Sequence, residues 1–155
     1  GLLGRVKRSF PSGMKRHAAR AVVSLGSNVE PRADYLKRAM AALGDLPRTR
    51  FVKASSVIET EGVDVPDEFR HLKFLNQVAL FETTLSPFEF SRRMHVVEDA
   101  LGRVRTVKNG PRTIDLDLID FGGAEIETEE LVLPHPRARS RSFVMEPLKE
   151  IGVSL

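Results

Sequence analysis

The 155-residue sequence contains no cysteine and no tryptophan. Without cysteine there is no disulfide framework, no thiol nucleophile and no thiolate-ligated zinc site. Aromatic residues are scarce, nine Phe and one Tyr, so a surface that stacks nucleic-acid bases has little to build from. No apolar run approaches the roughly 18–20 residues needed to span a bilayer. The sequence also lacks a Walker A phosphate loop, a G-x-S-x-G nucleophile elbow, an H-E-x-x-H zinc motif and a protein-kinase signature. These absences exclude disulfide scaffolds, helical membrane spans and several large enzyme classes.

What is present suits a soluble globular domain, with 41% apolar and 29% charged residues. The formal charge is +3, and the sequence pI near 9.5 invites a polyanion-binding reading. Residues 1–20 contain Arg5, Lys7, Arg8, Lys15, Arg16 and Arg20 and no acid. The remaining chain holds 18 basic and 21 acidic residues, a net charge of −3. The basicity therefore belongs to a leader. That leader has no apolar core of the kind a secretory signal needs. It faintly resembles a transit peptide, but a tag remnant or an extension upstream of a start at Met14 is the expected reading. Residues 1–20 are set outside the fold, residues 21–155 are read as a single domain, and a cytoplasmic location is expected.

Ala21-Val22-Val23-Ser24-Leu25 reads as a buried first strand ending at Gly26-Ser27-Asn28. Pro31 and the helical spacing of Leu36, Ala39, Met40 and Leu43 predict a helix stopping near Gly44. Alternation predicts strands over 49–61 and 74–84, separated by a polar loop at 61–71. Ser86-Pro87-Phe88-Glu89 has the form of a capping box, and the helix after it runs to about Leu101. Thr113 to Phe121 alternates strictly, a further strand. A short strand near Leu131–Leu133 and a short helical stretch near Glu146–Glu150 follow. The order predicts an α+β fold, a ferredoxin-like βαββαβ sandwich with an antiparallel sheet and long mobile loops at 61–71 and 103–111.

The chemistry concentrates in Gly110-Pro111-Arg112-Thr113-Ile114-Asp115-Leu116-Asp117. On a strand, Asp115 and Asp117 point to one face while Ile114, Leu116 and Leu118 pack on the other. Adjacent carboxylates repel unless a cation lies between them. Oxygen ligands of this kind suit Mg²⁺, which takes one or two carboxylates and substrate phosphates. Two Arg-rich loops bracket the pair, with Arg103, Arg105, Lys108 and Arg112 before it and Arg137, Arg139 and Arg141 after it. Metal and guanidinium together suit a polyphosphate. Ordinary surface acids and solvated loops are the alternative from the residues alone. His135 between two prolines, Asn76 in an apolar strand, and Phe74 and Phe143 each read as structural or as ligand contacts.

Gly26-Ser27-Asn28, Phe74-Leu75-Asn76, Gly102-Arg103-Val104-Arg105, the Gly110–Asp117 element and Pro134-His135 together resemble one family. It is the 6-hydroxymethyl-7,8-dihydropterin pyrophosphokinases of folate biosynthesis, and the similarity runs from about Arg20 to Ile151. The resemblance implies transfer of the pyrophosphoryl group of ATP to the pterin hydroxymethyl oxygen, with release of AMP. It implies two Mg²⁺ ions on Asp115 and Asp117, and assistance to the transferred group by Arg103 and Arg112. It assigns Glu98, Arg105, Arg112, His135 and Arg141 to ATP, and Thr60, Val63, Phe74, Asn76 and Phe143 to the pterin. Glu130 and Val132 stand where some members carry polar or basic residues near the nucleotide. The expected partners are ATP and the pterin, without nucleic acid or membrane, and the expected state is a monomer. A noncatalytic nucleotide- or nucleic-acid-binding module and a degenerate pterin-binding homologue are the competing readings.

Overall fold

A computed structural model describes residues 5–7, 18–62, 65–103 and 110–155. The elements in chain order are β1 Arg5–Lys7, β2 Ala19–Ser27, α1 Arg32–Gly44, β3 Thr49–Ala54, β4 Ile58–Glu61 and β5 Lys73–Thr83. They continue with α2 Pro87–Ala100, β6 Asp115–Phe121, β7 Glu125–Glu127, β8 Val132–Leu133 and α3 Ser142–Glu150. The main sheet has the order β3-β5-β2-β6, with β4 also on β5, and every pairing is antiparallel. The antiparallel α+β architecture predicted from the pattern is present.

Both faces of the sheet are covered. Ala21, Val23 and Leu25 of β2 pack with Phe81, Leu36, Leu43, Phe90 and Met94 against α1 and α2. Val22 packs on the opposite face with Val78, Leu80, Ile119, Val144 and Leu148, under α3. A central strand buried on both sides accounts for the unbroken apolar run at 21–23. The α3 layer does not extend over the far end of that face. There the same alternation turns Ser24, Gly26, Asn76, Asp115 and Asp117 to the lining of a cleft, and this end holds the site.

Several local features follow their signals. The Ser86 side chain accepts from the Glu89 N–H at 3.1 Å, capping α2. Gly102, at φ +82, ends that helix. Other elements differ from expectation. The strand predicted over 49–61 is two strands. The chain turns at Ser55–Ser56, where Ser55 exchanges bonds with Val78 and the Glu150 carboxylate accepts from the Ser56 N–H and hydroxyl. The last helix begins at Ser142, earlier than predicted. In the stretch read as a leader, β2 starts at Ala19, and the backbone of Arg5–Lys7 pairs antiparallel with β7. The loops expected to be mobile include residues 63–64 and 104–109, so Val63 and Arg105 lie outside the described residues.

Candidate active site

Register builds the floor of the site. Gly26 on β2 stands opposite Asn76 of β5 on one side and Asp115 of β6 on the other. Ser24, one step along the same face, stands opposite Asp117. The glycine keeps this row open: a Cβ there would lie 3.3 Å from Asn76 Oδ1 and 3.4 Å from Phe74 Cδ1. On the rim, Thr60 of β4 pairs with Phe74 of β5. Asn76, itself buried, donates from Nδ2 to the Thr60 hydroxyl. Phe143 at the start of α3 completes the wall, with the Arg141 guanidinium 5.6 Å from its ring centroid. Thr60, Phe74, Asn76 and Phe143 thus share one cleft with Arg112, Asp115, Asp117 and Arg141.

A second cleft adjoins the first, and Asp117 lines both. Its walls mix apolar side chains, Met94, Leu116, Leu118, Leu131 and Val132, with polar groups that include Ser91, His95 and His135. At its edge Arg92 donates through Nε and Nη2 to the two Glu130 oxygens at 2.5 and 2.9 Å. That pair occupies the acid that departs from the family pattern.

The carboxylate pair is set in positive charge. Arg103 Nη1 lies 3.1 Å from Asp115 Oδ1 and Arg112 Nη1 lies 3.0 Å from Asp115 Oδ2. Arg141 Nη1 is 3.9 Å from Asp117 Oδ2, and His135 Nε2 is 4.0 Å from Asp117 Oδ1. Burial, and then the neighbouring Asp115 charge, push the Asp117 carboxyl up to about 6, against the opposing pull of Arg141. Burial, and then the positive Arg141 and Arg137, hold the His135 pKa below its ordinary 6.5. His135 Nδ1 accepts from the Arg137 N–H at 3.2 Å, so the neutral ring carries its proton on Nε2, facing Asp117.

Glu98 is placed differently from its expected nucleotide contact. It lines neither cleft, and its side chain is fully buried. Its carboxylate accepts from the Leu116 N–H at 2.7 Å, from Arg103 Nη1, and pairs with His95 Nδ1 at 2.7 Å. Burial opposes its ionisation, but the His95, Leu116 and Arg103 interactions outweigh it and lower its pKa. Glu98 thereby ties the end of α2 to β6 and holds Arg103 beside Asp115. No composition rule gives it this role, because its partners come from a strand and a loop beyond the helix.

The acidic pair fits a hard divalent cation. Among the described residues no group of three or more His, Cys, Asp or Glu is placed to hold a metal. The protein therefore offers two oxygen side chains with cations around them. Such a donor set would leave a Mg²⁺ ion to complete its shell with water and substrate phosphates. Also among the described residues, no helix is long and apolar enough to cross a membrane.

A profile of the 7,8-dihydro-6-hydroxymethylpterin-pyrophosphokinase family matches residues 22–153. The 2-amino-4-hydroxy-6-hydroxymethyldihydropteridine pyrophosphokinase of Bacillus subtilis is 43% identical over 131 residues, covering 84% of this chain and 77% of the relative. The enzyme of that name from Pseudomonas aeruginosa is 34% identical over 136 residues, covering 88% and 82%. The fold is similar to the Plasmodium falciparum HPPK-DHPS crystal structure with pteroate, at a TM-score of 0.64 and 13% identity. That match covers 88% of this chain and 39% of the longer one, and it speaks to the fold alone.

Proposed function

The chain belongs to the 7,8-dihydro-6-hydroxymethylpterin-pyrophosphokinase family, whose reaction is pyrophosphoryl transfer in folate biosynthesis, and we propose that it runs this reaction where its two clefts meet. The observation that carries the proposal is Asp117, shared by both clefts beside Asp115. A two-substrate transfer needs donor and acceptor brought together at one charged point. The pterin takes the first cleft. Asn76 and Thr60 read its polar edge, and Phe74 and Phe143 pack on its ring. ATP takes the second, with its base against the apolar side chains of that mixed lining and its phosphates directed toward His135, Arg141 and Arg112.

The hydroxymethyl oxygen attacks the β-phosphorus, the bond from that phosphorus to the α–β bridging oxygen breaks, and AMP leaves. The hydroxyl proton passes to solvent. Asp115 and Asp117 would hold Mg²⁺, and the resemblance implies two ions. When bound, the metal neutralises charge on the triphosphate and acts as a Lewis acid there. Arg103 and Arg112 supply fixed positive charge to the transferred group, and preorganised charge of this kind carries most of the catalysis of phosphoryl-type transfer. The strand order and two helical crossovers support the finer ferredoxin-like reading. The family match from residue 22 supports residues 21–155 as the catalytic unit. The net negative body supports small phosphorylated partners over nucleic acid.

The test combines metal and pH. Metal binding requires the ionised carboxylates. Because the Asp117 carboxyl titrates near 6, the Mg²⁺ concentration for half-maximal AMP release should rise as pH falls below that value. Above it, the requirement should level off. AMP release that needs no added divalent metal overturns the assignment.

A further inference from the structure

Asn28 follows the last residue of β2 and is buried, with 4% of its surface exposed. All three of its distinctive hydrogen-bonding groups go to one short segment more than eighty residues away. Its backbone N–H donates to the Arg112 carbonyl at 3.1 Å. Its Nδ2 donates to the Gly110 carbonyl at 3.3 Å, and its Oδ1 accepts from the Arg112 N–H. Pro111 between them has no N–H and cannot continue a strand ladder. The Asn28 amide therefore supplies the pairing that the backbone cannot make there.

What this bracing points at is Arg112, whose side chain enters the first cleft and reaches Asp115 Oδ2 at 3.0 Å. A guanidinium on a long, rotamer-rich side chain is aimed only as well as its backbone is held. We propose that Asn28 is the positioning residue for Arg112, clamping the Gly110–Arg112 backbone so that the guanidinium meets the transferred group beside Asp115. This rests on the catalytic reading of Arg112 given above.

A double-mutant cycle over Asn28→Ala and Arg112→Ala tests it on the full chain, with kcat and KM for the pterin and for ATP measured in each variant. Asn28→Ala alone should lower kcat by on the order of 100-fold, the scale of a displacement near 1 Å at a catalytic group. Its KM for the pterin should stay within about twofold, because among the described residues Thr60, Phe74, Asn76 and Phe143 make no hydrogen bond with Asn28, whose bonds go to Gly110 and Arg112. In the Arg112→Ala background the same change should cost less than about threefold, since there is no guanidinium left to aim. If Asn28→Ala does not fold, the isosteric Asn28→Asp replaces it in the cycle. It keeps an acceptor for the Arg112 N–H and loses the donor to the Gly110 carbonyl. Equal kcat losses in both backgrounds, with Arg112→Ala itself impaired, overturn this inference and leave the role of Arg112 standing. Unchanged kcat in Arg112→Ala overturns both.

Discussion

Replacing Asp117 with alanine or asparagine should lower pterin-dependent AMP formation by on the order of 10³-fold, without unfolding the protein. Asp117 lines both clefts and is one of two carboxylates on the site face of β6. Its loss removes half of the protein's oxygen donors at the junction. Stability should move the other way. The folded carboxyl is raised from 3.8 to about 6, so the folded state holds its proton more tightly than the unfolded chain. The resulting penalty is absent below pH 3.8, grows between the two values and is fully present above about 6. Asp117→Asn removes it, so at neutral pH and without metal the variant should melt at or above the wild-type temperature. Thermal unfolding beside the AMP assay separates the two effects. Near-wild-type turnover in Asp117→Asn would sink the metal assignment. Asp115→Ala should be as inactive, and it also strips Arg103 and Arg112 of their shared acceptor.

The second large effect falls on stability. Glu98→Ala should cost about 3–5 kcal/mol, because it breaks a buried charge pair by deleting one partner. The cost has identifiable sources. The Leu116 N–H loses its acceptor, and Arg103, whose side chain is 11% exposed and whose Nε has no partner among the described residues, loses its fully buried counter-charge and is left with the partly exposed Asp115. For a chain of this length that is a drop of roughly 6–20 °C in melting temperature. Glu98→Gln, which keeps an acceptor for Leu116 but not the charge, should fall between. The pH dependence has the opposite sign to that of Asp117. The Glu98 pKa is lowered in the fold, so its contribution is complete above its ordinary 4.5 and is lost as pH falls through the lowered folded value. A Glu98→Ala variant that melts with the wild type across neutral and acid pH would refute this account of the network.

Legibility in the sequence depended on how local each cause was. The paired aspartates, the Ser86 cap and the apolar run of β2 carry their structural meaning within a few residues, through alternation, capping and two-sided burial. The α2–β6 pairing of Glu98, the Asn28 clamp and the split between β3 and β4 depend on partners 18 to 94 residues away. Periodicity contains no information about such partners. Thr60, Phe74, Asn76 and Phe143 were identifiable as candidates by resemblance. Their assembly into one cleft required the β4–β5 register and the start of α3, neither of which the pattern of apolar residues specifies. Gly26-Ser27-Asn28 looked like a turn because its polar residues interrupt a strand, and the interruption is what frees Asn28 to reach Gly110 and Arg112.

The most direct test of the central claim is product identity. Purified protein given ATP, Mg²⁺ and 6-hydroxymethyl-7,8-dihydropterin should release AMP and form pyrophosphorylated pterin in equal amounts, with no ADP. Neither product should appear when the pterin is left out. ADP as the nucleotide product, or nucleotide turnover indifferent to the pterin, would contradict pyrophosphoryl transfer at the junction of the two clefts.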